Sequence, residues 1–370
     1  MKKIFYTIIC CLLSLPIFGQ WSNQSLTFGG ALREYRLYVP ANYQPSKPAS
    51  VVVGLHGLGD NMNNFSGIGM NYIADTANIL VLVPQALADP LVGTAWNSGA
   101  GFGYYPNSNV NDVGFLNAML DATIANYAVN EQRIYICGFS MGGFMTERMA
   151  CESNQRIAAI ASVSGTIGSG IAPCTPGRAV PVAHFHGTSD GTISYSSNSF
   201  GVGADSLVNF WRINNQCNPV PQQNTFPDLV ADGLTIDHFL YSNGSPSSDV
   251  EFFKVNNGVH NWLFIPQNDI DYTLEIWKFF SKHSLQTTSI ANPTNKEVFH
   301  IYPNPAAEKW RISFTSTQKG EIQLFDLQGN LILSKNVSGE ETEIDIKEHS
   351  LAKGIYLLHW KGTYQKVLVE

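Results

Sequence analysis

Short, nearly continuous apolar runs recur along the first three quarters of the chain. Residues 50–55 (SVVVGL) and 78–83 have the length and branched side chains of strands buried on both faces. Residues 133–137, 157–163, 180–185 and 250–255 repeat the pattern. Between them the spacing becomes helical. Residues 111–127 place Val113, Leu116, Leu120, Ile124 and Tyr127 on one face, and 141–151, 207–213 and 269–280 are further helices. Strands alternating with helices predict an α/β fold, a mostly parallel sheet with helices on both faces. Such sheets bind ligands at the carboxyl ends of their strands.

The two ends of the chain depart from this pattern. Lys2 and Lys3 precede a nearly apolar run over 4–17, and Gly19 is a small residue suited to cleavage. Residues 1–19 therefore read as an export leader. The run is too short, and is broken by Pro16, for a convincing bilayer span, so the protein is expected not to be integral to a membrane. Residues 285–298, rich in Ser, Thr, Asn and Pro, read as a linker. Beyond it the period becomes two, as in Glu321-Ile322-Gln323-Leu324 and Glu343-Ile344-Asp345-Ile346, with Gly320, Gly329, Gly339 and Gly354 as punctuation. Charge also concentrates there: 17 of the 51 Lys, Arg, Asp and Glu residues fall within 299–370. These features predict a small antiparallel β-sandwich over 299–370, joined by the linker to an α/β body over 20–284.

Composition narrows the functional classes. Hydrophobic residues make up 44% of the chain and charged residues 14%, as a packed core requires. The net charge is −7 and no Lys/Arg run appears, so nucleic-acid binding has no electrostatic footing. Cys10 and Cys11 lie in the leader, which leaves Cys137, Cys151, Cys174 and Cys217. In an oxidising compartment these four permit three complete pairings. Cys137 lies in an apolar strand and reads as a buried free thiol. The one remaining bridge is expected between Cys174 and Cys217.

The candidate chemistry centres on Gly138-Phe139-Ser140-Met141-Gly142, a G-x-S-x-G turn fed by an apolar strand and followed by a helix. Such a turn lifts a serine hydroxyl into the open at a helix N-terminus. A serine is a poor nucleophile without a base. The order nucleophile, acid, base selects Asp190, in the loop after the strand over 180–185, and His260, after the last strand of the body. The other histidines lie in strands or in the tail, or, for His56, before a Gly-rich turn that it would shape. Oxyanion donors are expected from the backbone N–H groups of Met141 and Leu58. Trp96, Tyr104, Tyr105 and Trp262 are candidate cleft walls, with Trp96 and Trp262 taken as substrate-binding. No H-E-x-x-H, paired C-x-x-C, Walker A or G-x-G-x-x-G sequence occurs, so neither a metal nor a cofactor is expected. His184 and His186 share a strand face and read as a structural pair.

With these residues in view, the body resembles the poly(3-hydroxybutyrate) depolymerase and feruloyl esterase group of α/β-hydrolases, related to carbohydrate esterase family one. The matching stretches are Leu55-His56-Gly57, Trp96-Asn97, Asn111-Asp112-Val113-Gly114-Phe115 and residues 133–143. They continue through residues 186–190, Phe210-Trp211 with Cys217, and Gly258-Val259-His260-Asn261-Trp262. The resemblance implies the α/β-hydrolase fold and a secreted serine esterase working through an acyl-enzyme. Its substrate would be polysaccharide-linked feruloyl or acetyl esters, or alternatively a polyester. Val259 and Asn261 stand where the group often has Gly and Thr. A third reading, a surface-displayed binding protein on an inactive scaffold, conflicts with the complete triad in the sequence. The tail resembles the sorting domain of the type nine secretion system. Ile301-Tyr302-Pro303-Asn304-Pro305, Asp326-Leu327-Gln328-Gly329, Gly354-Ile355-Tyr356-Leu357 and Lys366-Val367-Leu368 carry that likeness. It implies the secretion machinery as a partner and a secreted or cell-surface location.

Overall fold

A computed structural model describes residues 19–102, 106–171, 173–245, 247–285, 299–326, 330–361 and 363–370. The expected leader up to residue 18, Tyr104, Tyr105, the linker from 286 onward and residues 327–329 of the tail lie outside these. The chain divides into two compact units, Met1–Gln286 and Thr287–Glu370.

The first unit is built on one ten-stranded sheet. Its strands in chain order are β1 (Gln20–Phe28), β2 (Ala31–Val39), β3 (Ala49–Leu55), β4 (Ile79–Pro84) and β5 (Val129–Phe139). Then follow β6 (Ala159–Val163), β7 (Val182–Gly187), β8 (Gln222–Thr225), β9 (Thr235–Tyr241) and β10 (Val250–Asn256). Across the sheet the order is β1-β2-β4-β3-β5-β6-β7-β10-β9-β8. The six central strands are parallel, and an antiparallel pair flanks them on each side. The helices of eight or more residues are α1 (Met70–Ala77), α2 (Asp112–Asn126), α3 (Met141–Glu152), α4 (Ala204–Asn214) and α5 (Tyr272–Ser281).

Alternation along the strands sorts side chains into two cores. Val51, Val53, Ile134 and Ile136 point to one face and pack with Phe115 and Leu116 of α2, Met145 of α3 and Trp211 of α4. Their neighbours Val52, Tyr135 and Cys137 point to the other, against Met70 of α1 and Ile276 and Phe280 of α5. A strand covered on both sides has no polar face, which is why these segments read as continuous apolar runs. Each fully buried Val, Leu, Ile or Phe contributes about 1.5–3 kcal/mol of transfer free energy.

The flanking strands carry little of this signal. In β1 (QWSNQSLTF) polar residues dominate and no position is fully buried, yet the Gly29-Gly30 turn pairs it along its length with β2. β8 and β9 form a second hairpin at the far side.

The cysteines correct one expectation. Cys151, in the last turn of α3, is bonded to Cys174, with Cα atoms 5.4 Å apart. Cys217 does not join Cys174; it is buried and free, its Sγ hydrogen-bonded to the Ser248 carbonyl at 3.2 Å. Cys137 is also buried and free.

The second unit is antiparallel. It contains β11 (Phe299–Tyr302), β12 (Lys309–Phe325), β13 (Leu331–Asp345), β14 (Gly354–Trp360) and β15 (Thr363–Val369). The long strand β12 pairs β13 along one side; on the other, its first part pairs β11 and its last residues pair β14. Hydrogen bonds between Ala306 and both Leu368 and Glu370 bring the ends of the sheet together around Trp310, Leu324, Leu358 and Trp360.

Candidate active site

The parallel strands end in step. Leu55 stands beside Gly138, Phe139 beside Val163, and Val255 beside Gly187. The loops that leave these ends converge at the carboxyl edge of the sheet, where a ligand can meet several of them.

Ser140 alone separates β5 from α3. Its φ of 55° and ψ of −120° lie outside the regions favoured by residues with a Cβ. Such a conformation costs about 1–3 kcal/mol and persists only where its surroundings impose it. Here the Ser140 N–H donates to Val163 O at 2.9 Å, and Ser140 O accepts from the Phe144 N–H at 3.1 Å. A Cβ on Gly138 would collide with the carbonyl of Gly142, and one on Gly142 with that of Leu55. Both glycines are therefore required by close backbone approach. Among the described residues no hydrogen bond ties Ser140 Oγ, so the hydroxyl can turn to a partner.

Asp190 follows β7 and is buried. Its Oδ1 accepts from the N–H groups of Thr192 at 2.9 Å and Ile193 at 2.8 Å, which closes a tight turn. Its Oδ2 lies 2.8 Å from Nδ1 of His260, in the loop after β10. Burial pushes the Asp190 carboxyl up, but the His260 hydrogen bond and charge, with the two turn N–H groups, outweigh this and hold it below the usual carboxylate range. An ionised Asp190 accepts the Nδ1–H of His260, which leaves the Nε2 lone pair able to take a proton. The imidazole rests on the Phe139 ring, with centroids 4.7 Å apart.

The loop after β3 passes close to the serine: a Cβ on Gly57 would lie 3.4 Å from that of Ser140. His56 shapes this loop. Its Nε2 accepts from the Ala86 N–H at 3.1 Å, so Nδ1 carries the proton and donates to Gly57 O at 2.7 Å. Burial lowers its pKa and keeps the ring neutral at physiological pH. The Leu58 N–H has no backbone acceptor among the described residues, and the residue is 40% exposed. Met141 opens α3, so its N–H belongs to the helix's first unpaired donors.

The two tryptophans correct another expectation. Trp96 is fully buried; its Nε1–H donates to His56 O at 2.9 Å and its ring packs on His56. Trp262 is 7% exposed, donates to Thr273 Oγ1 at 3.1 Å and meets Phe65 edge-on. Each props a site loop from below and offers little surface to a ligand. Beside Trp96 lie Arg33, which the sequence does not single out, and Asp112, which stands there only as part of a matching stretch. Asp112 accepts from Arg33 Nη2 and from the Asn97 N–H, both at 2.7 Å, which fixes the chain beside Trp96. In sequence Asp112 belongs to the stretch Asn111-Asp112-Val113-Gly114-Phe115 without a role of its own, and nothing local points to Arg33 on β2.

Residues 41–223 match the family model described as Phospholipase/Carboxylesterase. The chain is also similar to individual proteins. The chain is 28% identical over 167 residues to a bifunctional acetylxylan esterase/xylanase of Neocallimastix patriciarum, covering 45% of this chain and 22% of that protein. It is 30% identical over 196 residues to feruloyl esterase C of Emericella nidulans, covering 50% and 63% respectively. The chain thus spans under two thirds of each of these curated relatives. An acetyl xylan esterase from Aspergillus awamori shares the fold, with a TM-score of 0.53 at 15% identity, covering 70% of this chain and 99% of that one. Residues 300–369 match a secretion system C-terminal sorting domain.

Proposed function

We propose that the protein is an exported serine esterase that hydrolyses feruloyl or acetyl esters on polysaccharides. The 2.8 Å contact between Asp190 and His260, at the strand ends that also present Ser140, is the observation that carries this reading. His260 takes the Ser140 proton as Oγ attacks the ester carbonyl, and Asp190 stabilises the imidazolium that forms. The Leu58 and Met141 N–H groups meet the oxyanion. His260 then gives its proton to the leaving alcohol, and water activated by the same imidazole releases the acid from the acyl-enzyme. The substrate class rests on the feruloyl and acetylxylan esterases among the relatives. The export route rests on the sorting domain, which makes the secretion machinery a partner and the outside of the cell the site of action.

A polyester substrate is the second reading. Val259, next to His260, is 62% exposed, and with Leu58 it gives the mouth of the site apolar side chains.

The test is hydrolysis of 4-nitrophenyl acetate, methyl ferulate, acetylated xylan and poly(3-hydroxybutyrate) by the purified protein beside Ser140→Ala. Turnover that vanishes in the variant supports the serine esterase, and the preferred polymer selects the class. A folded protein that cleaves none of the four sinks the reading.

A further inference from the structure

Behind the candidate triad runs an unbroken file of buried polar groups. Glu147, on α3 two turns beyond Ser140, is fully buried. Its Oε2 accepts from Trp211 Nε1–H at 2.8 Å, and its Oε1 lies 2.7 Å from Ser162 Oγ. Ser162 Oγ also lies 2.8 Å from His184 Nδ1. His184 Nε2 lies 3.1 Å from His186 Nδ1, and His186 Nε2 lies 2.9 Å from Ile193 O. Ile193 is the residue whose N–H holds Asp190.

Counting protons along this file fixes its state. A carbonyl only accepts, so His186 Nε2 carries a hydrogen. Were His186 neutral, as burial dictates, its Nδ1 would accept, and His184 Nε2 must donate. His184 Nδ1 then accepts in its turn, because burial and the neighbouring His186 hold that ring well below the ordinary histidine range. Ser162 has one hydroxyl hydrogen and gives it to His184. Its contact with Glu147 is left with no hydrogen unless the carboxyl supplies one. Two lone pairs facing each other at 2.7 Å inside a sealed core would be strongly repulsive. The titratable groups facing the file are Asp190, with Oδ2 3.6 Å from His186 Nε2, His260 beyond it, Tyr195 edge-on to the His186 ring, and Asp205 from α4. Among the described residues no cation stands next to Glu147 to stabilise an anion, and burial pushes its carboxyl up to about 7.

We propose that Glu147 is a neutral acid that donates to Ser162 and so orders a one-directional hydrogen-bond file, Glu147 to Ser162 to His184 to His186 to Ile193, that positions the Asp190 turn. The inference rests on the esterase reading only for its catalytic consequence; the protonation state stands apart from it. Glu147 is a positioning residue: it joins the helix that begins at the nucleophile to the loop that carries the acid.

The experiment compares the full chain with Glu147→Gln and Glu147→Leu. Glutamine reproduces the neutral acid, since its NH2 donates to Ser162 and its oxygen accepts from Trp211. The infrared spectrum of the wild type should show a protonated-carboxyl C=O band near neutral pH that is missing in Glu147→Gln. The wild-type rate should fall on the alkaline side as Glu147 ionises, and Glu147→Gln should keep the wild-type rate below neutrality and lose that limb. Glu147→Leu should reduce kcat severalfold more than KM. A missing infrared band, or an imidazolium signature for His184 in 15N NMR, would overturn the protonation state even if the enzyme is active. An unchanged pH profile in an active Glu147→Gln would overturn the positioning role. An inactive wild type that shows the band would leave the file intact and count against the esterase reading alone.

Discussion

Arg33 and Asp112 meet across 79 residues of sequence, with Nη2 2.7 Å from Oδ1 and both side chains 1% exposed. The guanidinium also lies over the Phe115 ring, 3.8 Å from its centroid. A pair buried this far costs desolvation on both sides, so removing one partner is worse than removing both. Asp112→Ala is expected to destabilise the first unit by about 3–5 kcal/mol in urea unfolding. It should also lower turnover, because Asn97 and Trp96 lose their anchor. Arg33→Met combined with Asp112→Leu should recover most of the stability. A double variant as unstable as the single one would show that the pair itself, and not the orphaned charge, matters.

Asp190→Asn keeps the shape of the turn and can present the wrong hydrogen-bonding group to His260. By analogy with serine hydrolases generally, kcat should drop by about 10⁴-fold with the melting temperature little changed. Steady-state kinetics on a nitrophenyl ester beside calorimetry would show it. A loss below tenfold removes Asp190 from the acid role.

The strained backbone at Ser140 predicts a trade of function for stability. Ser140→Gly relieves a φ of 55° that alanine would retain. The glycine variant should therefore unfold about 1–3 kcal/mol later than Ser140→Ala, with both inactive. Equal stabilities would mean that the turn holds no strain.

His283 gives a pH dependence of definite sign. Its ring is buried, its Nε2 has no hydrogen-bond partner among the described residues, and burial pushes it down to about 4. The unfolded chain takes up a proton near pH 6.5 while the fold refuses it until about pH 4. The contribution is whole above pH 6.5, declines as pH falls through that window, and is gone below it. It amounts to about 3 kcal/mol, from the pKa difference. His283→Phe should flatten the acid side of the stability curve, and an unchanged curve would place the dependence elsewhere.

The thiols should sort cleanly. Burial raises Cys137 to about 12 and Cys217 to about 11, so neither supplies thiolate at neutral pH. Alkylation of the native protein should label neither, and unfolding should expose both. Reducing the Cys151–Cys174 bond, which closes 23 residues, should cost about 3 kcal/mol. Native labelling of Cys217 would contradict its burial.

What the sequence discloses follows from how local each cause is. The central strands are readable because burial on both faces forces an unbroken apolar run, and the elbow is readable because glycine is the one residue that fits twice within five positions. The order Ser140, Asp190, His260 follows from the order of strand ends. The bridge between Cys151 and Cys174 is not readable, since it depends on where the chain after β6 passes the end of α3. Trp96 and Trp262 mislead for a related reason. An aromatic near a catalytic loop can face the cleft or brace it from beneath, and only packing decides. Hairpin β1–β2 is hidden by its polar sequence, although Arg33 on it reaches the centre of the fold.

One edge of the large sheet ends in β8, four residues long, with Gln222, Gln223, Asn224 and Thr225 all exposed. An open edge invites a strand from another molecule. This one offers a ladder too short, and side chains too fond of water, to hold such a visitor. Crowded copies of the protein can therefore press against that side without polymerising through it.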